Sequence, residues 1–153
     1  MTTRDRIWKG EATLEAVNAL ALNTMLEHLG ITFTEIGADF LRASMPVDRR
    51  TLQPYGILHG GASVALAETL GSMAANLCID RSTRMCVGLS ISANHVKRVS
   101  EGMVTGTARP VHLGGRTHVW DIRIEDESGH LISTSRLTMV VLDRVKSKES
   151  WTE

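Results

Sequence analysis

Between Leu58 and Leu77 the chain reads LHGGASVALAETLGSMAANL, twenty residues carrying a single charge, Glu68. The spacing predicts one long helix from about Gly60 to Cys78, apolar nearly all round. Such a helix has to be covered on most of its faces, so the rest of the chain must wrap it. The lone carboxylate is costly there, because an ionised carboxylate buried without a partner is strongly disfavoured and responds by a raised pKa. The approach to the helix, Gln53-Pro54-Tyr55-Gly56-Ile57-Leu58-His59-Gly60-Gly61, is polar and glycine-rich. A helix N-terminus of that kind offers free backbone N–H groups and a positive dipole end to an oxygen that carries negative charge.

Around the helix the periodicity is that of strands. Ile31–Ile36 and Phe40–Met45 alternate and are split by Gly37-Ala38-Asp39, a hairpin signal. After Asp80 the period stays at two through Met85–Val96, Met103–Val111, Thr117–Glu125 and Leu131–Leu142. In the third of these, His118, Trp120, Ile122 and Ile124 share one face, and Asp121, Arg123 and Glu125 share the other. Residues 13–29 predict one or two short helices, capped by Thr13 or Asn23 and stopped by Gly30. Hairpin, long helix and four-strand meander do not alternate as βαβ units, which excludes a doubly wound sheet. The expectation is an α+β domain over residues 13–143, a curled antiparallel sheet of about six strands around one helix, with a second subunit closing the faces left open. Residues 1–12 form an N-terminal extension, and 144–153 (RVKSKESWTE) are expected as a disordered tail.

The 153 residues suit one domain able to bury about two-thirds of its unfolded surface. Lysine plus arginine equals aspartate plus glutamate at 17 each, so no long-range field recruits nucleic acid or an anionic membrane. The first fifteen residues lack the apolar core of a secretory signal, and the 58–77 segment is too rich in Ala, Gly and Ser for a membrane span. Cys78 and Cys86 read as reduced core residues, in keeping with a cytoplasmic protein. The six histidines (His28, His59, His95, His112, His118, His130) show no metal-ligand spacing, so no metal is expected.

Glu68 and Ser72 are one turn apart and share a face; Gly61, seven before Glu68, lies near that face too. Gly60 and Gly61 leave the backbone open to a ligand's approach. A carbonyl oxygen on the Gly60 N–H would be polarised, and Glu68 would attack the carbon or activate a water held by Ser72. His59 could orient Gln53 or reach the same carbonyl. This constellation points to acyl transfer or hydrolysis. Gly61-Ala62-Ser63-Val64-Ala65 is one residue short of a nucleophile elbow, but no strand leads into Ser63 and the parallel-sheet pattern is missing. Two further stretches suit an anion: Asn94-His95-Val96-Lys97-Arg98 at a strand end and His112-Leu113-Gly114-Gly115-Arg116 at a turn. Together they would suit a phosphorylated carrier such as coenzyme A.

These residues are also where the chain resembles a known family. MPVDRRTLQPYGILHGGASVALAETLGS (Met45–Ser72), SANHVK (Ser92–Lys97) and HLGGRTHVWDI (His112–Ile122) resemble the hotdog-fold acyl-CoA thioesterases acting on aromatic acyl-CoA esters such as 1,4-dihydroxy-2-naphthoyl-CoA. The resemblance spans about Ile7 to Asp143. It implies a central helix wrapped by the sheet, dimers with paired sheets that assemble as dimers of dimers, and active sites at subunit interfaces. Matched position by position, it implies Glu68 as catalytic carboxylate, Gly60 as backbone donor to the thioester carbonyl, Gln53 and His59 as polar neighbours, and Ser72 as the hydroxyl assisting water. It implies coenzyme A contacts at Gly88, at His95, Val96, Lys97 and Arg98, and at His112, Leu113, Gly114, Gly115, Arg116 and Thr117. Arg98 and Ser90 depart from the residues common at those positions. The expected reaction is hydrolysis of an acyl-CoA, needing no cofactor, since coenzyme A belongs to the substrate. The alternatives are a housekeeping or editing thioesterase on misacylated carrier protein or mixed acyl-CoAs and a non-enzymatic acyl-CoA-binding sensor.

Overall fold

The computed structural model describes residues 6–144; the expected tail, Arg144 apart, lies outside them, as do the first five residues of the extension. Two short helices open the chain, α1 (Leu14–Ala19) and α2 (Met25–Leu29), followed by the hairpin β1 (Thr32–Ile36) and β2 (Leu41–Pro46). Then come the long helix α3 (Gly60–Leu77) and the strands β3 (Arg84–His95), β4 (Met103–Leu113), β5 (Thr117–Asp126) and β6 (Leu131–Asp143). All six strands form one sheet in the order β1-β2-β4-β5-β6-β3 with antiparallel neighbours throughout, a hotdog fold around α3. The Thr24 hydroxyl, not Asn23, caps α2 by accepting the Leu26 N–H, while Asn23 sits just before it at a φ of 58°. A residue with positive φ cannot take the extended conformation that an N-cap needs. β4 runs on through His112 and Leu113, because an irregularity between Pro110 and His112 restores pairing with Val119 and His118. The turn is therefore confined to Gly114, Gly115 and Arg116.

The core lies between α3 and the concave face of the sheet. Leu66, Leu70 and Ala74 on the helix and Leu41, Val104, Trp120, Ile122, Ile124 and Leu137 on the strands are fully buried. Truncating Leu66 or Leu70 to alanine there should cost on the order of 3 kcal/mol through lost transfer energy and the cavity left behind. The described part of the N-terminal extension packs on this body: Trp8 is buried and its indole N–H donates to Gly37 O, while the Lys9 N–H bonds Leu77 O.

The sheet covers one side of α3 only. Val64, Ala65, Glu68, Thr69, Ser72, Met73 and Asn76 run along the other side and are half-buried. That strip, and the unpaired outer edge of the twelve-residue β3, are the surfaces that the apolar sequence of the helix leaves without cover. No helix among the described residues is long and apolar enough to cross a membrane.

Candidate active site

The N-terminus of α3 is fixed before the helix begins. The Leu58 N–H bonds Val99 O and the His59 N–H bonds Thr51 O, each at 2.8 Å. His59 then serves as the N-cap, its Nδ1 accepting the Gly61 N–H at 2.8 Å. This spends the ring nitrogen facing the helix and leaves Nε2 outward, so the ring neither bonds nor orients Gln53, whose Oε1 accepts the Tyr55 N–H instead. Among the described residues no acceptor meets the Gly60 N–H. A side chain at position 60 would crowd His95: its Cβ would stand 2.7 Å from Nε2. The His95 ring is in turn 3.3 Å from the Ser133 hydroxyl. Gln53, Gly60, Ser63, His95, Val96, Lys97 and Arg98 line one cavity of about 320 Å³ at this end of the helix. Ser63 is buried inside the helix, with no strand leading into it, which removes the nucleophile-elbow reading.

Glu68 lies elsewhere. With Gly61, Val64, Thr69, Ser72 and Asn76 it lines a larger groove of about 830 Å³ between α3 and the α1–α2 segment. Its carboxylate packs on the backbone of β3 at Gly88, where a methyl group would collide with Oε1. Burial pushes the Glu68 pKa up, and a hydrogen bond with Ser72 partly opposes the rise. The Ser72 hydroxyl also approaches Met139 Sδ at 3.7 Å. Ser72 lies one turn C-terminal to Glu68 on the same side of the helix, and Gly60 two turns N-terminal. Eight residues separate Gly60 from Glu68, a rise of about 12 Å. One thioester carbonyl cannot rest on the Gly60 N–H and meet the Glu68 carboxylate of the same chain.

The two expected coenzyme A stretches are also apart. His95 pairs with Ser133 and Thr117 with Val140, seven residues further along β6, which is about 23 Å of strand. His95 to Arg98 lie with Gly60. Leu113, Gly114 and Gly115 line a separate cavity of about 600 Å³ near the C-terminus of α3, beside Lys9, Arg84 and His118. Gly88 pairs with Met139, whose neighbour on β5 is His118, so the β4–β5 turn belongs to the Glu68 half of the molecule. Arg116 is held through its carbonyl, which accepts the Val141 N–H at 2.9 Å.

Residues the sequence did not single out complete the groove. Leu20, Met25 and Leu26 form its outer wall, and Arg81 and Arg144 its far end. The wall was hinted at only by the exposure of apolar side chains near the α1–α2 turn, which a sequence does not reveal. Among the described residues no three His, Cys, Asp or Glu side chains come together as metal donors.

The comparisons with known proteins agree with this architecture. The sequence model of the Thioesterase superfamily matches residues 55–133. The chain is 54% identical over 136 residues to the proofreading thioesterase EntH of Cronobacter sakazakii, covering 89% of this chain and 98% of that one. It is 53% identical, over 89% of this chain and 99% of the other, to the 1,4-dihydroxy-2-naphthoyl-CoA hydrolase of Escherichia coli. A crystal structure of a mutant thioesterase from Pseudomonas aeruginosa superposes with a TM-score of 0.89 at 49% identity, covering 90% of this chain and 99% of that one. A long apolar helix inside a six-stranded sheet, a carboxylate in its groove and these relatives make the chain a member of the thioesterase superfamily with the activity of a thioester hydrolase.

Proposed function

We propose that the chain hydrolyses an aromatic acyl-CoA, with 1,4-dihydroxy-2-naphthoyl-CoA as the reference substrate, at a centre built by two copies of itself. The observation that carries the reading is the Glu68 carboxylate, set in an apolar groove against Gly88 and Ser72 and over 10 Å by helix rise from the open N–H of Gly60. Two copies related by a two-fold axis along the free edge of β3 would run their α3 helices antiparallel, bringing Gly60 of one toward Glu68 of the other. The same step would roof the groove along α3 while leaving it open to the acyl group, and would pair the free β3 edge; a dimer of such dimers is the proposed assembly.

In that centre the thioester oxygen sits on the Gly60 N–H at the positive end of α3, where negative charge developing on it is stabilised. Gln53 and His59 Nε2 stand at the same end. Glu68, ionised, either adds its own oxygen to the carbonyl carbon or takes a proton from a water held by Ser72, which adds instead. Collapse of the tetrahedral species breaks the C–S bond and releases coenzyme A as thiolate, to be protonated. Where Glu68 has added, the acyl group stays on it as an anhydride until water hydrolyses it to the free acid and the carboxylate. Water supplies the oxygen and hydrogen of the products, so no cofactor enters the proposal. His95 to Arg98 and the 112–117 turn, brought from two chains, would flank the nucleotide. Two free thiols, with burial pushing Cys78 to about 12 and Cys86 to about 11, fit a reducing cytoplasm, the proposed compartment.

The test is steady-state release of free thiol from 1,4-dihydroxy-2-naphthoyl-, benzoyl-, hexanoyl- and palmitoyl-CoA and from an acylated carrier protein, by wild type and Glu68→Gln. The expected result is a preference for an aromatic acyl-CoA that E68Q abolishes, with kcat down about a thousandfold and KM little changed. Preference for the carrier protein would replace the substrate with an editing one. Binding without turnover would make the protein a sensor.

A further inference from the structure

The groove that holds Glu68 has a charged far end that the hydrolysis itself does not use. Its walls between the two ends are apolar, with Leu20, Met25 and Met73 prominent. Midway, Asn76 is fully engaged: its side-chain N–H groups donate to Ser72 O and Cys86 O, and its oxygen accepts the Cys86 N–H. Both of its N–H donors are spent, so it offers an anion no donor. At the far end stand Arg81 and Arg144.

Both arginines are held by one short turn. Asp80 builds it by accepting the Ser82 N–H and hydroxyl at 3.0 and 2.6 Å, and its carbonyl accepts the N–H groups of Thr83 and Arg84. This occupies the nearest carboxylate locally and presents Arg81 to the groove. The Arg144 N–H bonds Thr83 O at 2.8 Å, clasping the end of β6 to the same turn. Arg144 Nε bonds the carbonyl of Arg84 at 3.2 Å, which leaves its terminal nitrogens unspent. Among the described residues neither guanidinium forms an ion pair. Both side chains are exposed at the same end of the groove, where an anion entering it would meet two cations without a carboxylate partner among the described residues.

Resting on the thioesterase reading above, we infer that Arg81 and Arg144 are specificity residues for an acyl group that carries an anionic substituent, such as a carboxylate, at the end remote from the thioester. Glu68 would meet the thioester at one end while the guanidinium pair receives the carboxylate at the other. The groove runs from Glu68 past Asn76, about 12 Å of helix, to the end that the two arginines line. That length fits a two-ring aromatic or a medium alkyl acyl group. Arginine suits the task because its planar donors match a carboxylate geometrically.

The experiment compares two matched pairs of thioesters: 2-naphthoyl- against 6-carboxy-2-naphthoyl-CoA, and octanoyl- against octanedioyl-CoA. The readout is the ratio of kcat/KM within each pair, for wild type, R81A, R144A, the double alanine variant and the double lysine variant, with E68Q as control. The expected result is a wild-type preference of about fivefold or more for the carboxylate-bearing member of at least one pair. That preference should collapse to one or below in the double alanine variant and survive in part in the double lysine variant, which keeps the charge. No preference in either pair, or a preference that the alanine variants leave intact, would overturn the inference while E68Q-sensitive hydrolysis still stands. Absence of any Glu68-dependent hydrolysis would instead remove the thioesterase reading on which the inference rests.

Discussion

The two halves of the site are built by opposite means. At the N-terminus of α3 the working group is backbone: a Gly60 N–H that no described residue accepts, in a small cavity whose lining is polar and cationic at Gln53, His95, Lys97 and Arg98. Two turns on, the working group is a side chain, a single carboxylate in a larger apolar groove. The first half is a backbone donor whose position is fixed by the helix itself, whichever side chains line the cavity. The second depends on dryness, since desolvation is what raises the Glu68 pKa. Within one chain the rise of α3 keeps the donor and the carboxylate about 12 Å apart. In the proposed dimer the two-fold axis would bring the donor of one copy to the carboxylate of the other.

Complementation between two inactive variants should give the largest effect. Gly60→Pro removes the N–H donor at the first helical position, where no helix hydrogen bond is lost and the preceding residue, His59, already has extended angles of −69° and 131°. The proline ring presses on His95 as the methyl of G60A does, so G60A is the control. G60P should lose about a hundredfold or more in kcat as an oxyanion donor is lost, whereas G60A, which keeps the N–H, should lose far less. Mixed dimers of E68Q and G60P should then recover about half of the wild-type activity per dimer, because one of their two centres has both groups intact. Recovery of none would place both groups in one chain and sink the composite site.

The next effect separates the two glycines. Gly88→Ala would push against Glu68 Oε1, and G60A against the far end of His95. The Gly88 change displaces the group that does chemistry, so it should lower kcat about tenfold or more, while G60A chiefly raises KM. Equal effects on kcat would mean that Glu68 adapts and that its packing on β3 is incidental.

Much of this was legible beforehand, and what was not has physical causes. The single charge in the 58–77 segment located the carboxylate, and the Gly60-Gly61 pair located the open backbone, since each is a local property of its residues. The period-two stretches gave all six strands with ends shifted by at most two residues. Sharing a helix face, however, implies nothing about a common cavity: Gly61 joins Glu68 in the groove, whereas Gly60, one residue earlier, opens on the other side of the helix. The two basic stretches fall about 23 Å apart because register along β6 is a property of the assembled sheet. The cap that the His59 ring makes through Nδ1 carried no sequence signal, because histidine fills that role less often than Ser, Thr, Asp or Asn.

A smaller effect sharpens the apolar half. The Glu68 pKa is raised from 4.5 by burial, with Ser72 opposing. Catalysis needs the carboxylate ionised, so activity rises with pH through the folded-state value, and the acid limb of kcat/KM should lie above 4.5. Ser72→Ala removes the opposing hydrogen bond, so the limb should move to still higher pH; a limb that moves down would contradict the arrangement. Stability has the reverse sign. The folded protein holds this proton more tightly than the unfolded chain does. The carboxyl's contribution is therefore fully present below the unfolded pKa and is lost as pH rises through the folded one. E68Q, which carries no titrating group there, should lack that loss, and thermal unfolding at acidic and neutral pH would show it.

The smallest effect decides what His59 contributes to the polar half. Because Nδ1 accepts the Gly61 N–H at 2.8 Å, His59→Ala should cost about 1 kcal/mol of stability, as loss of an N-cap does. Asparagine also caps well, so H59N should restore the unfolding temperature to near the wild-type value. Turnover separates the two roles. With Nδ1 occupied, only the outward Nε2–H can reach a thioester on Gly60, and asparagine has no group at that position. H59N should therefore be stable yet remain severalfold slower than wild type. Full recovery of kcat by H59N would reduce His59 to a cap and leave Gly60 and Gln53 as the polar groups at the carbonyl.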